Sequence, residues 1–205
     1  METIKPLAFV YSDSPRDRRH GPHGYSDLQS FRPWLRDEFS FRCVYCLIRE
    51  QWGRVQGEFD IEHFEPNSIS PDARLKYENL VYACHTCNLK KGSGIVADPL
   101  QHLTTSTISI KPDGSLVGLT IEAKRIIDKV ALNSATMIRW RLFWIRMVEI
   151  AATYDLALLN ELMGYPSELP DLSKLNPPVN NRPAGIDDSF FEKRRRGELE
   201  QSYLC

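Results

Sequence analysis

Two cysteine pairs, Cys43-Val44-Tyr45-Cys46 and Cys84-His85-Thr86-Cys87, limit what this chain can fold into more than any other feature. Two such knuckles can place four thiolates at the corners of a tetrahedron, with Zn–S distances of ~2.3 Å. The stretch Met1–Val10 carries Glu2 and Lys5 and lacks the apolar run of a secretory signal. The expected location is therefore cytoplasmic, where thiols stay reduced and disulfides are rare. A four-thiolate site has no open coordination position, so the expected zinc is structural and clamps the segment between the pairs. The competing reading is a redox dithiol or a coincidence at each pair. Two pairs with one further cysteine, Cys205, to which no role is assigned, favour the metal.

Composition narrows the class. The chain has 205 residues, 42% hydrophobic and 26% charged, enough for a packed core in one domain with extensions. No apolar run reaches the ~18 residues of a membrane helix, so no membrane partner is expected. The formal net charge of −1 removes any argument for nucleic-acid binding from overall charge. Four stretches are expected: residues 1–40 as an extension packing on the core, 41–99 as the clamped core, 100–164 as a hairpin and helices, and 165–205 as a proline-rich linker and tail.

Within the core, Gly57-Glu58-Phe59-Asp60-Ile61-Glu62-His63-Phe64 alternates polar and apolar residues until His63. It reads as a half-buried strand that buries Phe59 and Ile61, places Asp60 and Glu62 on the other face, and stops near Pro66. Asn79 to Ala83 reads as a second strand. Cys84 to Gly92 reads as a short helix closed by glycine.

The string Cys43-x-x-Cys46, Glu62-His63-x-x-Pro66, Asn79-Leu80, Cys84-x-x-Cys87-Asn88-x-x-Lys91-Gly92 resembles the HNH endonucleases. That resemblance covers roughly residues 41 to 99. It implies an α+β fold: a zinc-clamped ββα-metal nuclease core, here with a helical C-terminal extension. It implies that His63 is the general base, that Glu62 and Asn88 hold a catalytic divalent ion, and that Asn79 braces the loop and the base. More narrowly, Ile61-Glu62-His63-Phe64-x-Pro66-x-Ser68 and Asp98-Pro99-Leu100 are similar to HNH nuclease subunits of Septu-type and retron-associated anti-phage systems. This implies an ATPase subunit as partner.

The chemistry supports those roles on its own terms. An imidazole with an ordinary pKa of ~6.5 can take a proton from water at neutral pH. A hard cation held by carboxylate and amide oxygens, Mg²⁺ or Mn²⁺, can neutralise charge on a phosphodiester and its leaving oxygen. Glu62 and Asn88 are such donors, and Asp60 could assist. Lys91 is expected to touch phosphate. The dull alternatives are a surface or core histidine at 63, a turn cap at Asn79 and a helix-start polar residue at Asn88. His85 is expected to be exposed, or at most a phosphate contact.

Outside the core, Arg16 to His23 reads as a solvated loop, and Trp34, Leu35, Glu38 and Phe39 have helical spacing. Ser106 to Leu119 reads as a hairpin turning at Pro112-Asp113-Gly114. Thr120 is a candidate N-cap for a helix with Ala123, Ile126, Ile127, Val130 and Ala131 inside, and a second helix spans about Ala135 to Thr153. Between Glu122 and Arg146 six basic residues face two acidic ones, which makes Lys124, Arg125, Arg139 and Arg141 candidate DNA contacts. Trp140 and Trp144, one turn apart, are assigned to core packing. Residues 165 to 185, with five prolines, read as loop, and the tail around Phe190 to Gly197 as a partner-docking helix or a disordered end.

The expected function is thus metal-dependent hydrolysis of DNA phosphodiester bonds. Two rivals stand beside it: a zinc-stabilised module that holds nucleic acid without cutting it, and a subunit whose cleft the C-terminal extension occludes until a partner releases it.

Overall fold

The computed structural model describes residues 7–52, 59–66, 73–179 and 183–203. Gly57, Glu58, Ser68, Cys205 and the stretch Met1 to Pro6 lie outside them. The chain is α+β, with two two-stranded antiparallel sheets among the described residues and helices around them.

Helix α1, Arg32–Glu38, opens with a proline in its first turn, where no backbone donor is lost, and buries Trp34 and Leu35 against the first sheet. Ser40, Phe41 and Leu47 take positive φ values of 53°, 57° and 61°. These bends fold the chain into the first cysteine turn, closed by Cys43 N–H to Ile48 O and Leu47 N–H to Cys43 O. Strands β1, Phe59–His63, and β2, Leu80–Cys84, pair with Asp60 opposite Ala83 and Glu62 opposite Val81. Val44 N–H donates to Tyr82 O, so the cysteine turn lies against β2. Helix α2, His85–Lys91, begins at the residue after β2 ends, and Gly92 closes it at φ 52°. This β1–β2–α2 unit is the architecture expected over the motif.

After the short helix α3, Pro99–His102, strands β3, Ile108–Ile110, and β4, Leu116–Gly118, form the expected hairpin. Thr120 caps α4, Ile121–Lys129, by accepting from Ala123 N–H at 3.2 Å. Asn133, which sequence periodicity marks only as a break between helices, hydrogen-bonds both backbone groups of Leu116 at 2.8 Å and ties that break to the hairpin. Helices α5, Ala135–Tyr154, and α6, Leu156–Met163, pack together. Ile145, Val148 and Ala151 are buried, whereas Met137, Ile138, Leu142 and Ala152 are only half-buried. Trp144 stacks on Trp52 beside the first cysteine turn, with ring centroids 4.3 Å apart and planes 5° apart. Phe9 meets Trp52 and Trp140 edge-on, and Trp52 donates to Leu162 O at 2.7 Å. This aromatic group fastens the helical extension to the core.

Three expectations are corrected. The stretch read as a solvated loop near Arg16 to His23 is pinned: the Glu38 carboxylate accepts from the backbone N–H of Arg19 and of His20. The His20 ring is fully buried, with Nε2 2.9 Å from Asp37 Oδ1. The proline-rich stretch contains a 3-10 turn at Leu172–Lys174, whose Leu172 is buried, and part of it forms α7, Pro183–Asp187. The tail folds as α8, Phe190–Arg195, and docks on this chain itself: Phe190 N–H donates to Asp37 Oδ2 at 2.8 Å, and Tyr203 O–H donates to Ser40 O at 2.9 Å. Polar groups facing one another across long sequence separations leave no periodic signal, so pattern alone missed all three.

Asp37 thus joins the N-terminal arm, α1 and the tail through one buried carboxylate that also pairs with Arg19. Removing it strands a half-buried cation, a buried ring nitrogen and a backbone donor. Asp37→Ala should cost about 3 kcal/mol or more in a urea titration. It should also expose the tail after Arg194 to trypsin; an unchanged midpoint and digestion pattern would contradict the anchoring role.

Candidate metal centre and active site

Four sulfurs meet at the junction of the core. Cys43, Cys46, Cys84 and Cys87 are buried free thiols whose sulfurs all lie within 4.8 Å of one another. Sulfurs at ~2.3 Å from a central zinc stand ~3.8 Å apart along a tetrahedral edge. Cys46 Sγ and Cys84 Sγ are 3.7 Å apart, and the chain supplies no fifth donor there among the described residues, so the set fits a structural zinc.

Alternation along β1 turns Asp60 and Glu62 toward α2, and α2 answers at every third residue: His85, Asn88 and Lys91. At one end, Asp60 Oδ2 lies 2.9 Å from both Asn88 Nδ2 and His85 Nδ1. The Asp60 and His85 side chains keep 28% and 60% of their surface open, so solvent and ions reach this point. At the other end the environment is closed. Glu62 is buried, ion-paired with Lys91 and accepting from Tyr45 O–H at 2.7 Å. Lys91 also donates to His63 O at 2.8 Å, which clamps the end of β1 to α2. Burial pushes the Glu62 carboxyl above its ordinary range, and the Lys91 ammonium opposes that shift.

His63 sits half-buried at the end of β1 with Nε2 2.9 Å from the carbonyl oxygen of Arg74. A carbonyl can only accept, so this nitrogen carries the proton and Nδ1 keeps its lone pair. Burial holds the imidazole below its ordinary pKa, helped by the cations of Lys91 and Arg74, while the carbonyl bond opposes. These influences favour the uncharged ring, the form that can accept a proton. The Asn79 side chain accepts from Glu65 N–H at 3.0 Å and donates to Glu65 O at 2.9 Å, which fixes the loop leaving His63.

These features are those of a known nuclease architecture, and the sequence matches it: residues 43–94 fit the family model for HNH endonuclease. Residues 43–94 are an HNH endonuclease domain. The chain is also similar to the Septu protein PtuB of Bacillus thuringiensis, at 31% identity over 96 residues. That match covers 45% of this chain and 37% of the relative, so the chain spans well under half the length of the protein it resembles.

Within the HNH domain the structure distributes the expected site residues unevenly. It brings Asn88 to Asp60 rather than to the buried Glu62, whose oxygens serve Lys91 and Tyr45. Lys91, expected at phosphate, has no exposed side-chain surface because it neutralises Glu62. Arg141, expected at DNA, is also buried and donates to Gly114 O and Leu132 O inside the extension. Both placements follow from burial: a cation closed off by its own fold does not meet a backbone phosphate. Lys124, Arg125 and Arg139 are exposed, as expected. Asp60 was read in sequence only as an auxiliary ion donor, and His85 as exposed or at most a phosphate contact; the structure puts the two in contact. Tyr45 and the Arg74 carbonyl carried no signal.

Because the four sulfurs are where β2, α2 and the first cysteine turn converge, metal loss should unfold this unit. Dialysis against a strong chelator, or Cys84→Ser, should remove about one zinc per chain by elemental analysis. The near-ultraviolet dichroism of the core should collapse with it. A folded, zinc-free Cys84→Ser protein would refute the clamp.

Proposed function

We propose that this chain is a metal-dependent HNH endonuclease that hydrolyses DNA phosphodiester bonds. The observation that carries the reading is the His63 ring, held through Nε2 by the Arg74 carbonyl at the end of the strand whose Asp60 meets Asn88. His63 Nδ1 is then the free base that takes a proton from the attacking water. Asn88 and the two carboxylates facing α2, Asp60 and Glu62, are the oxygen donors that would hold Mg²⁺ or Mn²⁺. When bound, such an ion neutralises charge on the phosphate and on the leaving 3′-oxygen. Asn79 keeps the loop between the base and the ion-holding groups in place. Products carrying 5′-phosphate and 3′-hydroxyl ends, as in the HNH family, are part of this reading.

Glu62 has a second duty, because its pairing with Lys91 keeps α2 against β1. Asp60 has none of comparable burial, so the two carboxylates can be told apart by mutation. DNA would approach over α4, where Lys124 and Arg125 are exposed and the Lys129 stem lies against the loop following α2. The similarity to Septu protein PtuB supports a place in a Septu-type anti-phage system; an ATPase subunit as partner is part of this reading through the HNH resemblance. A catalytically silent nucleic-acid-binding module is the reading left standing if no ion supports cutting.

Plasmid nicking with Mg²⁺ or Mn²⁺ tests the assignments. His63→Ala should lower the rate about 10²- to 10⁴-fold with an unchanged melting temperature. Asp60→Asn and Asn88→Ala should raise the ion concentration needed for half-maximal cutting, again without unfolding. Glu62→Gln should lose stability as well as activity, since it leaves the Lys91 charge buried and unpaired. Wild-type activity retained in His63→Ala would overturn the mechanism. Reversing both Lys124 and Arg125 to Glu should flatten the dependence of log affinity on log salt by about 2; an unaltered slope would return them to plain surface.

A further inference from the structure

We propose that the cavity between the N-terminal arm, the first cysteine turn, α3 and the tail binds a small phosphate monoester, with Arg16 and Arg42 as its anion-holding groups. The cavity has a volume of about 310 Å³ and is lined in part by Arg16, Arg42, Tyr11, Phe39 and Tyr203. Cys43 of the zinc cluster lines it, but none of the residues assigned to the nuclease reaction does, so in the metal-loaded protein the two sites can be tested separately.

The charge balance of this region is one-sided. Arg16 donates to the backbone oxygen of Glu38 at 3.2 Å, and Arg42 to that of Val10 at 3.4 Å. Neither has an ion pair among the described residues. The Arg42 Nε is buried with no partner, and its guanidinium lies 5.7 Å from the centre of the Tyr203 ring. Behind that ring stands a third guanidinium, Arg49, buried, 4.1 Å from the same ring centre, with Nε and Nη1 also unpartnered. Burial lowers the pKa of Arg16 and Arg49, and neighbouring guanidiniums deepen both shifts. Among the described residues Asp13 is the one carboxylate lining the cavity, and it already accepts from Thr105 O–H at 3.2 Å. The Glu38 carboxylate, which favours the charged form of Arg16, is taken up by Arg19, His20 and Tyr77.

Half-buried cations gathered beside a buried one without a facing counter-charge are costly. A dianion with three oxygens suits two guanidiniums, each of which can offer a planar fork of donors. Sites for small organic ligands begin at ~300 Å³, so the cavity takes a phosphate with a modest attached group against the aromatic lining.

Titration calorimetry of the intact protein, in chloride buffer of matched ionic strength, tests this with inorganic phosphate and with adenosine 5′-monophosphate. Both should bind; a tighter monophosphate assigns the cavity to an organic ester, and equal affinities assign it to the phosphate group alone. Arg16→Gln and Arg42→Gln should each weaken binding about tenfold or more. Should either variant fold poorly, phenylglyoxal labelling of the wild type gives the same answer. Phosphate should then protect Arg16 and Arg42, read by peptide mass spectrometry, and leave exposed Arg139 reactive. No heat from either probe at millimolar concentration, or labelling indifferent to phosphate, would overturn the proposal.

Discussion

Cys84 is the last residue of β2 and the residue before α2, so whatever holds its sulfur sets the direction of both elements. Three further sulfurs hold it, two from a turn that is itself bonded to β2 through Val44. With that joint fixed, the face of α2 carrying His85, Asn88 and Lys91 can only lie over the face of β1 carrying Asp60 and Glu62. The candidate active site is thus a consequence of the cluster, although none of its residues touches the metal position. A unit this small has too little apolar core to impose such a geometry alone, and metal coordination supplies the missing constraint.

The two carboxylates on that face show how burial divides labour between similar groups. Asp60 stays partly open and shares its oxygen with groups that can rearrange around a cation. Glu62 lies two residues further along, where Lys91 and Tyr45 close over it. A buried carboxylate needs a counter-charge and a donor, and here it has both. His63, next along the strand, inherits its backbone position from the same clamp, because Lys91 grips its carbonyl.

Outside the domain, two devices hold the rest of the chain to it. The stacked pair Trp52 and Trp144 joins the long helix to the cysteine turn. Asp37 gathers the N-terminal arm and the tail helix. The tail that closes over Tyr203 also completes the wall of the arginine-lined cavity, so the extension shapes a second concave surface as well as burying apolar area.

Much of this was legible in the residues alone wherever chemistry and short spacing coincide. The cysteine pairs, the glycine-closed helix, the hairpin turn and the Thr120 cap all depend on neighbours within a few positions, and each occurs as read. So does the HNH string, whose His63, Asn79 and Asn88 keep their order and their elements. The period-two strand forms too, but Ile61 is only half-buried while Glu62, read on the polar face, is buried. What only the tertiary structure decided is which of several equivalent charges is left open. Lys91 and Arg141 look in sequence like Lys124 and Arg125, but the first two are consumed by distant carboxylate and carbonyl oxygens. Local sequence sets the type of side chain and its face; the dielectric around it and the partner that neutralises it come from residues far along the chain, and those settle its charge and its reach.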